Sequence, residues 1–291
     1  MPYGQAKVYS DGSHYIAIPP STRPTAKKKG GGSQFEDEKK KAFEKAYTET
    51  KAKSKAGKIS GITEDIKAHF ESEDDATAYV AEHIERKYRN LIVRRARLIR
   101  KLNLGHWNYF CTFTYDDKKH TEESFKAKLR DCFKKMCYRR DWVYIGVWER
   151  SPKTGRLHFH GIFYIPEGAM VGEITEHRDY STKSHGMQTT YQNSYFTERF
   201  GRNDFEPLDT HSLGDATAYL IKYIEKSGER IVYSRNTPTY FISDILDDDV
   251  VCTIGQEDRK LLLFDNFSCF ADGVYMGEVC REVIAKMPKS N

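Results

Sequence analysis

Between residues 107 and 165 the spacing of apolar positions changes period several times. Trp107 to Tyr115 is rich in aromatic and β-branched residues and reads as a strand. From Thr121 to Arg140 the apolar residues Phe125, Leu129, Phe133 and Met136 recur at three- and four-residue spacing, which predicts a helix. Trp142 to Glu149 returns to strand character, Ser151-Pro152-Lys153-Thr154-Gly155 is a turn, and Arg156 to Ile165 is a second strand. A helix is expected from about Ala76 to Leu102, with Ile84, Tyr88, Leu91, Ile92 and Leu98 as its apolar stripe. Another follows Ser212 or Asp215 as N-cap and stops at Gly228. Strands that precede and follow helices in this way predict an α+β protein with a central antiparallel sheet and helices packed on it.

The expected hairpin pairs antiparallel about Lys153 and Thr154, setting Glu149 opposite His158 and Val147 opposite His160. Glu149, His158 and His160 then share one face of the sheet, because side chains alternate along a strand. Two imidazoles and a carboxylate with open positions suit a catalytic divalent ion such as Mn²⁺ or Mg²⁺ better than a closed structural site. The plain alternative is a surface hairpin whose histidines alternate with core Leu157, Phe159 and Ile162.

The segment Ala218-Tyr219-Leu220-Ile221-Lys222-Tyr223-Ile224-Glu225-Lys226 places Tyr219 and Tyr223 four apart on one helical face, each followed three residues later by Lys222 or Lys226. A tyrosine of ordinary pKa near 10 is a poor nucleophile at neutral pH, and an adjacent ammonium favours its phenolate. An amphipathic core helix with snorkelling lysines is the alternative.

Three stretches, Phe110-Cys111-Thr112-Phe113-Thr114-Tyr115, His158-Phe159-His160 and Tyr219 to Lys226, resemble the ordered motifs of rolling-circle replication initiators, the Rep branch of the HUH endonucleases. The tyrosines follow the histidines, as in Rep proteins and unlike relaxases, and two tyrosines four apart resemble the initiators of phages and some plasmids. The resemblance covers roughly residues 105 to 235. It implies a ferredoxin-like or RRM-like sheet and a metal at Glu149, His158 and His160 that positions the scissile phosphate. It implies attack by Tyr219 or Tyr223, assisted by Lys222 and Lys226, to give a 5′-phosphotyrosine and a 3′-hydroxyl that primes a host polymerase. The substrate is single-stranded DNA or an origin hairpin, and no nucleotide cofactor is required. A non-catalytic single-stranded nucleic-acid-binding module with an RRM-like sheet is the competing class.

Charge and composition refine this picture. The net charge of +5 is uneven: residues 1 to 106 carry 22 Lys and Arg against 14 Asp and Glu, whereas residues 236 to 291 carry 5 against 10. Three regions follow: a basic, largely helical segment 1–104 with a flexible linker near 24–34, an endonuclease domain 105–235, and an acidic segment 236–291 packing on or extending the core. Arg94, Arg95, Arg97, Arg100 and Lys101, together with Arg156, are candidate contacts to the DNA backbone, with a solvated helix face as the default account. Lys27-Lys28-Lys29-Gly30-Gly31-Gly32 lacks the spacing of a nucleotide-binding P-loop, so strand separation is expected to fall to a host helicase. Residues 166 to 211 read as a polar, tyrosine-rich insertion in which Tyr180, Tyr191, Tyr195 and Phe196 either stack bases or pack on the sheet. The six cysteines form no metal or disulfide pattern, and Asp247-Asp248-Asp249 reads as a turn. With no apolar run that spans a bilayer and no apolar leader, the expected location is the cytoplasm of a bacterial host.

Overall fold

The computed structural model describes residues 3–20, 34–50, 54–151, 154–181, 185–209, 212–227, 231–255 and 259–291, without the side chains of 34–37, 179, 181 and 223–227. The linker near 24–34 lies, but for its last residue, outside the described residues, as does the helix stop at Gly228. Strands β1 (Tyr3–Ser10) and β2 (Tyr15–Ile18) open the chain, followed by helices α1 (Gln34–Glu49), α2 (Lys55–Ile66) and α3 (Glu73–Leu104). Next come β3 (Tyr109–Thr114), α4 (Glu122–Arg140), β4 (Val143–Arg150) and β5 (Leu157–Tyr164). Strands β6 (Ile174–Ser181) and β7 (Gly186–Asn193) lead through α5 (Ser194–Arg199) to β8 (Asn203–Pro207) and α6 (Ser212–Ser227). The remainder comprises β9 (Val232–Tyr233), β10 (Tyr240–Ile245), β11 (Cys252–Ile254), β12 (Lys260–Leu263), β13 (Ser268–Ala271), β14 (Val274–Glu278), α7 (Arg281–Lys286) and β15 (Lys289–Ser290).

The α+β architecture expected from the sequence is present, with compact units drawn at different places. One unit is residues 21–94; the other joins 1–20 to 95–291. In the smaller unit Phe43, Ala46, Ile62, Ile66, Val80 and Ile84 make the core of a helical assembly. In the larger unit β1 and β2 pair with the acidic C-terminal segment, in an antiparallel sheet of order β11-β12-β2-β1-β10-β13-β14, with β15 also on β10. Periodicity alone cannot reveal such a partner, because strand pairing joins residues more than two hundred positions apart. Asp247–Asp249 forms a short 3-10 turn, as expected of that acidic triplet. No described helix is long and apolar enough to cross a membrane.

The second sheet of the larger unit runs β8-β3-β5-β4-β9 and is antiparallel throughout. β3 and β4, joined through α4, lie on either side of β5, the split arrangement of a ferredoxin-like sheet. α4 begins where the Thr121 hydroxyl accepts from the Ser124 amide and ends at Asp141, whose left-handed φ of 54° turns the chain into β4. Its buried Phe125, Leu129, Phe133 and Met136 pack on Phe113, Trp148, Phe159 and Phe163 from the sheet. This aromatic layer buries one face of β5 and leaves His158 and His160 on the other. Ile162, expected in the core with Leu157 and Phe159, is fully buried but stands on the histidine face.

The segment 166–211 is part of the sheet system and no mere insertion. It supplies β8 to the free edge of β3, and Phe196 enters the aromatic core. Asn193 ties these pieces together: its side-chain oxygen accepts from the Tyr195 and Phe196 amides, its side-chain nitrogen donates to the Val171 carbonyl, and its backbone amide donates to Asn203 Oδ1.

Gly146 and Gly161 face each other across β4 and β5, and the Phe159 ring lies over both. A Cβ on Gly146 would fall 2.2 Å from Phe159 Cζ and 2.7 Å from the His160 carbonyl oxygen. Gly146→Ala is therefore expected to cost about 1–3 kcal/mol through overpacking; equilibrium urea unfolding measures it, and an unchanged midpoint would show that the ring relaxes freely.

Candidate active site

Alternation and register bring the site together across neighbouring strands. β4 pairs with β5 so that Glu149 faces His158 and Val147 faces His160, the register implied by the turn. β3 pairs with β5 so that Thr114 faces His158 and Thr112 faces His160. The Thr114 hydroxyl lies 2.8 Å from His158 Nδ1, and the Thr112 hydroxyl 3.0 Å from His160 Nδ1. On the far side of its ring, His160 Nε2 stands 2.9 Å from Glu149 Oε2, and both residues are buried. Each imidazole is thus fixed at Nδ1 by a threonine oxygen, which sets the ring plane and directs Nε2.

Burial lowers the pKa of half-buried His158 below its ordinary value of 6.5, and the neighbouring His160 and Arg156 add to the effect against the pull of Glu149. The ring is therefore neutral at physiological pH and has a nitrogen lone pair to give. The two imidazole centroids are 6.0 Å apart. Among the described residues, no three His, Cys, Asp or Glu are gathered into a cluster that holds a metal ion.

α6 lies across this face against β4 and β5. Ser212 and Asp215, the expected caps, both lie within the helix, and ahead of its described start Asp209 Oδ1 accepts from the Ser212 amide while the Ser212 hydroxyl accepts from the Asp209 amide. Buried Ala216 and Leu220 anchor the helix, and Tyr219 turns toward the sheet. The Tyr219 ring meets His160 edge to face at 5.3 Å between centroids and Phe110 at 5.4 Å. Lys222 is exposed. Tyr223 and Lys226 belong to the helix, and their side chains lie outside the described residues.

The basic candidates are placed unevenly. Arg94 and Arg97 are exposed, and Arg95 is half-buried. Arg100 makes a two-pronged pair with Asp11, at 2.6 and 3.0 Å, and lies over the Tyr9 ring. Lys101 is buried, donates to the Thr237 carbonyl and Asn291 Oδ1, and burial brings its pKa down to about 8. Arg156 donates to the Tyr115 carbonyl and Asp117 and covers the Tyr115 ring. The expected phosphate contacts at Arg100, Lys101 and Arg156 thus fall on cations that have partners within the fold, because the spacing of charges along the sequence does not show which cations meet an internal partner.

Thr112 and Thr114, which the sequence offers either as residues lining the active face or as structural strand positions, hold the histidine rings. Their alternation with Phe113 was the available signal. Asp204 and Glu206 share the same face, opposite Thr112 and Phe110, and went unrecognised inside the polar segment.

Fold and site define a class: α+β proteins whose antiparallel sheet sets a strand histidine pair and a carboxylate against a tyrosine-bearing helix. Residues 108–228, from the edge of β3 through α6, match the family described as Replication-associated protein ORF2/G2P. No curated protein and no solved structure matches the chain.

His158 also makes stability depend on pH. The unfolded chain takes up the histidine proton near pH 6.5, before the folded one does. The contribution of the neutral ring is therefore present above that pH and lost as pH falls through the lower folded pKa. In metal-free buffer the urea midpoint of the wild type is expected to drop more between pH 7.5 and 5.5 than that of His158→Gln; equal drops would remove His158 as the cause.

Proposed function

We propose that this protein initiates rolling-circle replication by nicking and rejoining single-stranded DNA at an origin through a covalent 5′-phosphotyrosine. The observation that carries this reading is the Tyr219 ring seated against His160, itself held between Thr112 and Glu149. A strand lying along this face presents a phosphodiester to the histidines on one side and to the phenol on the other. Tyr219 Oη attacks phosphorus, the bond to the 3′ oxygen breaks, and that oxygen leaves as a 3′-hydroxyl after taking up a proton. The phosphodiester linkage is conserved in the protein–DNA bond, so a 3′-hydroxyl or Tyr223 can reverse the exchange without ATP. Lys222, one turn from Tyr219, offsets charge developing on the phosphate, and Lys226 stands in the same relation to Tyr223.

Glu149, His158 and His160 would hold a divalent ion, Mn²⁺ or Mg²⁺, which polarises the scissile phosphate when bound. The donor set suits such an ion, since imidazole nitrogens already anchored at Nδ1 and a carboxylate are ordinary ligands for it. A host polymerase extends the 3′-hydroxyl, and a host helicase opens the duplex ahead of it. The exposed Arg94 and Arg97 remain candidates for backbone contact.

Incubation with single-stranded origin oligonucleotides and Mn²⁺ or Mg²⁺, resolved on a denaturing gel, tests the reading. A covalent adduct is expected from the wild type, and none from Tyr219→Phe/Tyr223→Phe. Thr112→Val, which frees the His160 ring, is expected to weaken Mn²⁺ binding roughly 10- to 100-fold by calorimetry. Absence of any adduct across a range of origins, with His160→Ala behaving like wild type, would refute the nicking chemistry and favour a module that only binds the strand.

A further inference from the structure

A cavity of about 360 Å³ opens beside the histidines, between β3, the edge strand β8 and the β7 arm of the hairpin. Thr112 and Thr114 line it, so it begins one strand, roughly 5 Å, from the imidazoles they hold. The rest of its wall includes Gln188, Arg202, Asp204 and Glu206. Asp204 accepts from the Tyr191 amide at 2.8 Å and so fastens the hairpin to the sheet edge. Gln188 and Glu206, in contrast, make no side-chain hydrogen bond or ion pair among the described residues. Two unengaged polar side chains therefore border a cavity of small-ligand size.

The chemistry of this wall selects its occupant. Arg202 is the one cation among the described lining residues, and its charge already acts on Asp204. Two carboxylates on β8 repel a phosphate but accept hydrogen bonds from amino groups. Burial raises the pKa of both Asp204 and Glu206, and each disfavours further negative charge nearby. The geometry points to a pocket that receives an unpaired base of the substrate strand next to the scissile phosphate and prefers a base with an exocyclic amino group over thymine. Glu206 accepts from that amino group, as carboxylates do from cytosine N4, and the Gln188 amide meets the neighbouring ring edge. The hairpin that forms the outer wall is the one fixed through Asn193 and Asp204, so the pocket is built on anchored backbone.

This inference rests on the nicking reading, and its test is kept separate from nicking. The full chain is mixed with a random-sequence single-stranded DNA library, and bound strands are recovered and sequenced for wild type, Glu206→Gln and Gln188→Ala. Wild type is expected to disfavour thymine roughly 10-fold or more at one position, and each variant to flatten the preference there while leaving other positions unchanged. A wild-type profile with no such position, or variants that keep it, would overturn the pocket. Adduct formation on the recovered strands is scored independently. An adduct with identical profiles in all three proteins leaves nicking intact and removes the pocket; a flattened profile in a protein that forms no adduct supports the pocket and removes the nicking.

Discussion

The register between β4 and β5 is the constraint on which the rest of this site depends. Because side chains alternate, slipping one strand by a single residue would bury the histidines among the phenylalanines of α4 and expose Phe159 to α6. The slip is prevented from both sides at once. On one face Phe133, Phe159 and Phe163 interlock, and Gly146 and Gly161 leave room for a ring that no other residue pair would admit. On the opposite face Thr112, Thr114 and Glu149 match the spacing of the imidazole nitrogens. Core packing and polar complementarity thus specify the same alignment, and the geometry of the site is inherited from the hydrophobic layer beneath it.

The parts legible in the sequence are those whose partners lie close by. The turn at Ser151–Gly155 fixes which residues face each other, so Glu149 beside His158 follows from counting along the chain. Helix α4 and the tyrosine helix follow from apolar spacing. Pairings across long sequence distances are written in no local pattern. β8 completes the sheet edge, yet Asn203-Asp204-Phe205-Glu206 reads as polar connection, because only Phe205 meets the core. The charges of α3 were equally opaque: Arg100 and Lys101 resemble their neighbours in sequence, and it is the position of Asp11, Thr237 and Asn291 that draws them inward.

Electrostatically the sheet face is graded. Its centre carries neutral His158 beside the His160–Glu149 pair, one edge carries the carboxylates of β8, and α6 brings Lys222. A polyanion meeting this face finds repulsion at the acidic edge and attraction toward the helix. A backbone held near the histidines, with bases directed toward β8, is the orientation in which these preferences agree.

The pairing of β1 with β10 has a consequence for the order of events during synthesis. Residues 3–10 leave the ribosome long before Tyr240–Ile245, the strand they are to bond with, has been made. At about 5–20 residues per second the delay is roughly 12–50 s, during which the intervening β3–β8 sheet has time to form around its own aromatic layer. The sheet holding the histidines is thus free to fold early, whereas β1 and β2 must wait with both outer edges unpaired, β1 for β10 and β2 for β12. Strands that wait in this way are where a nascent molecule is most exposed to mispairing, and the waiting time, more than the final stability, sets that risk.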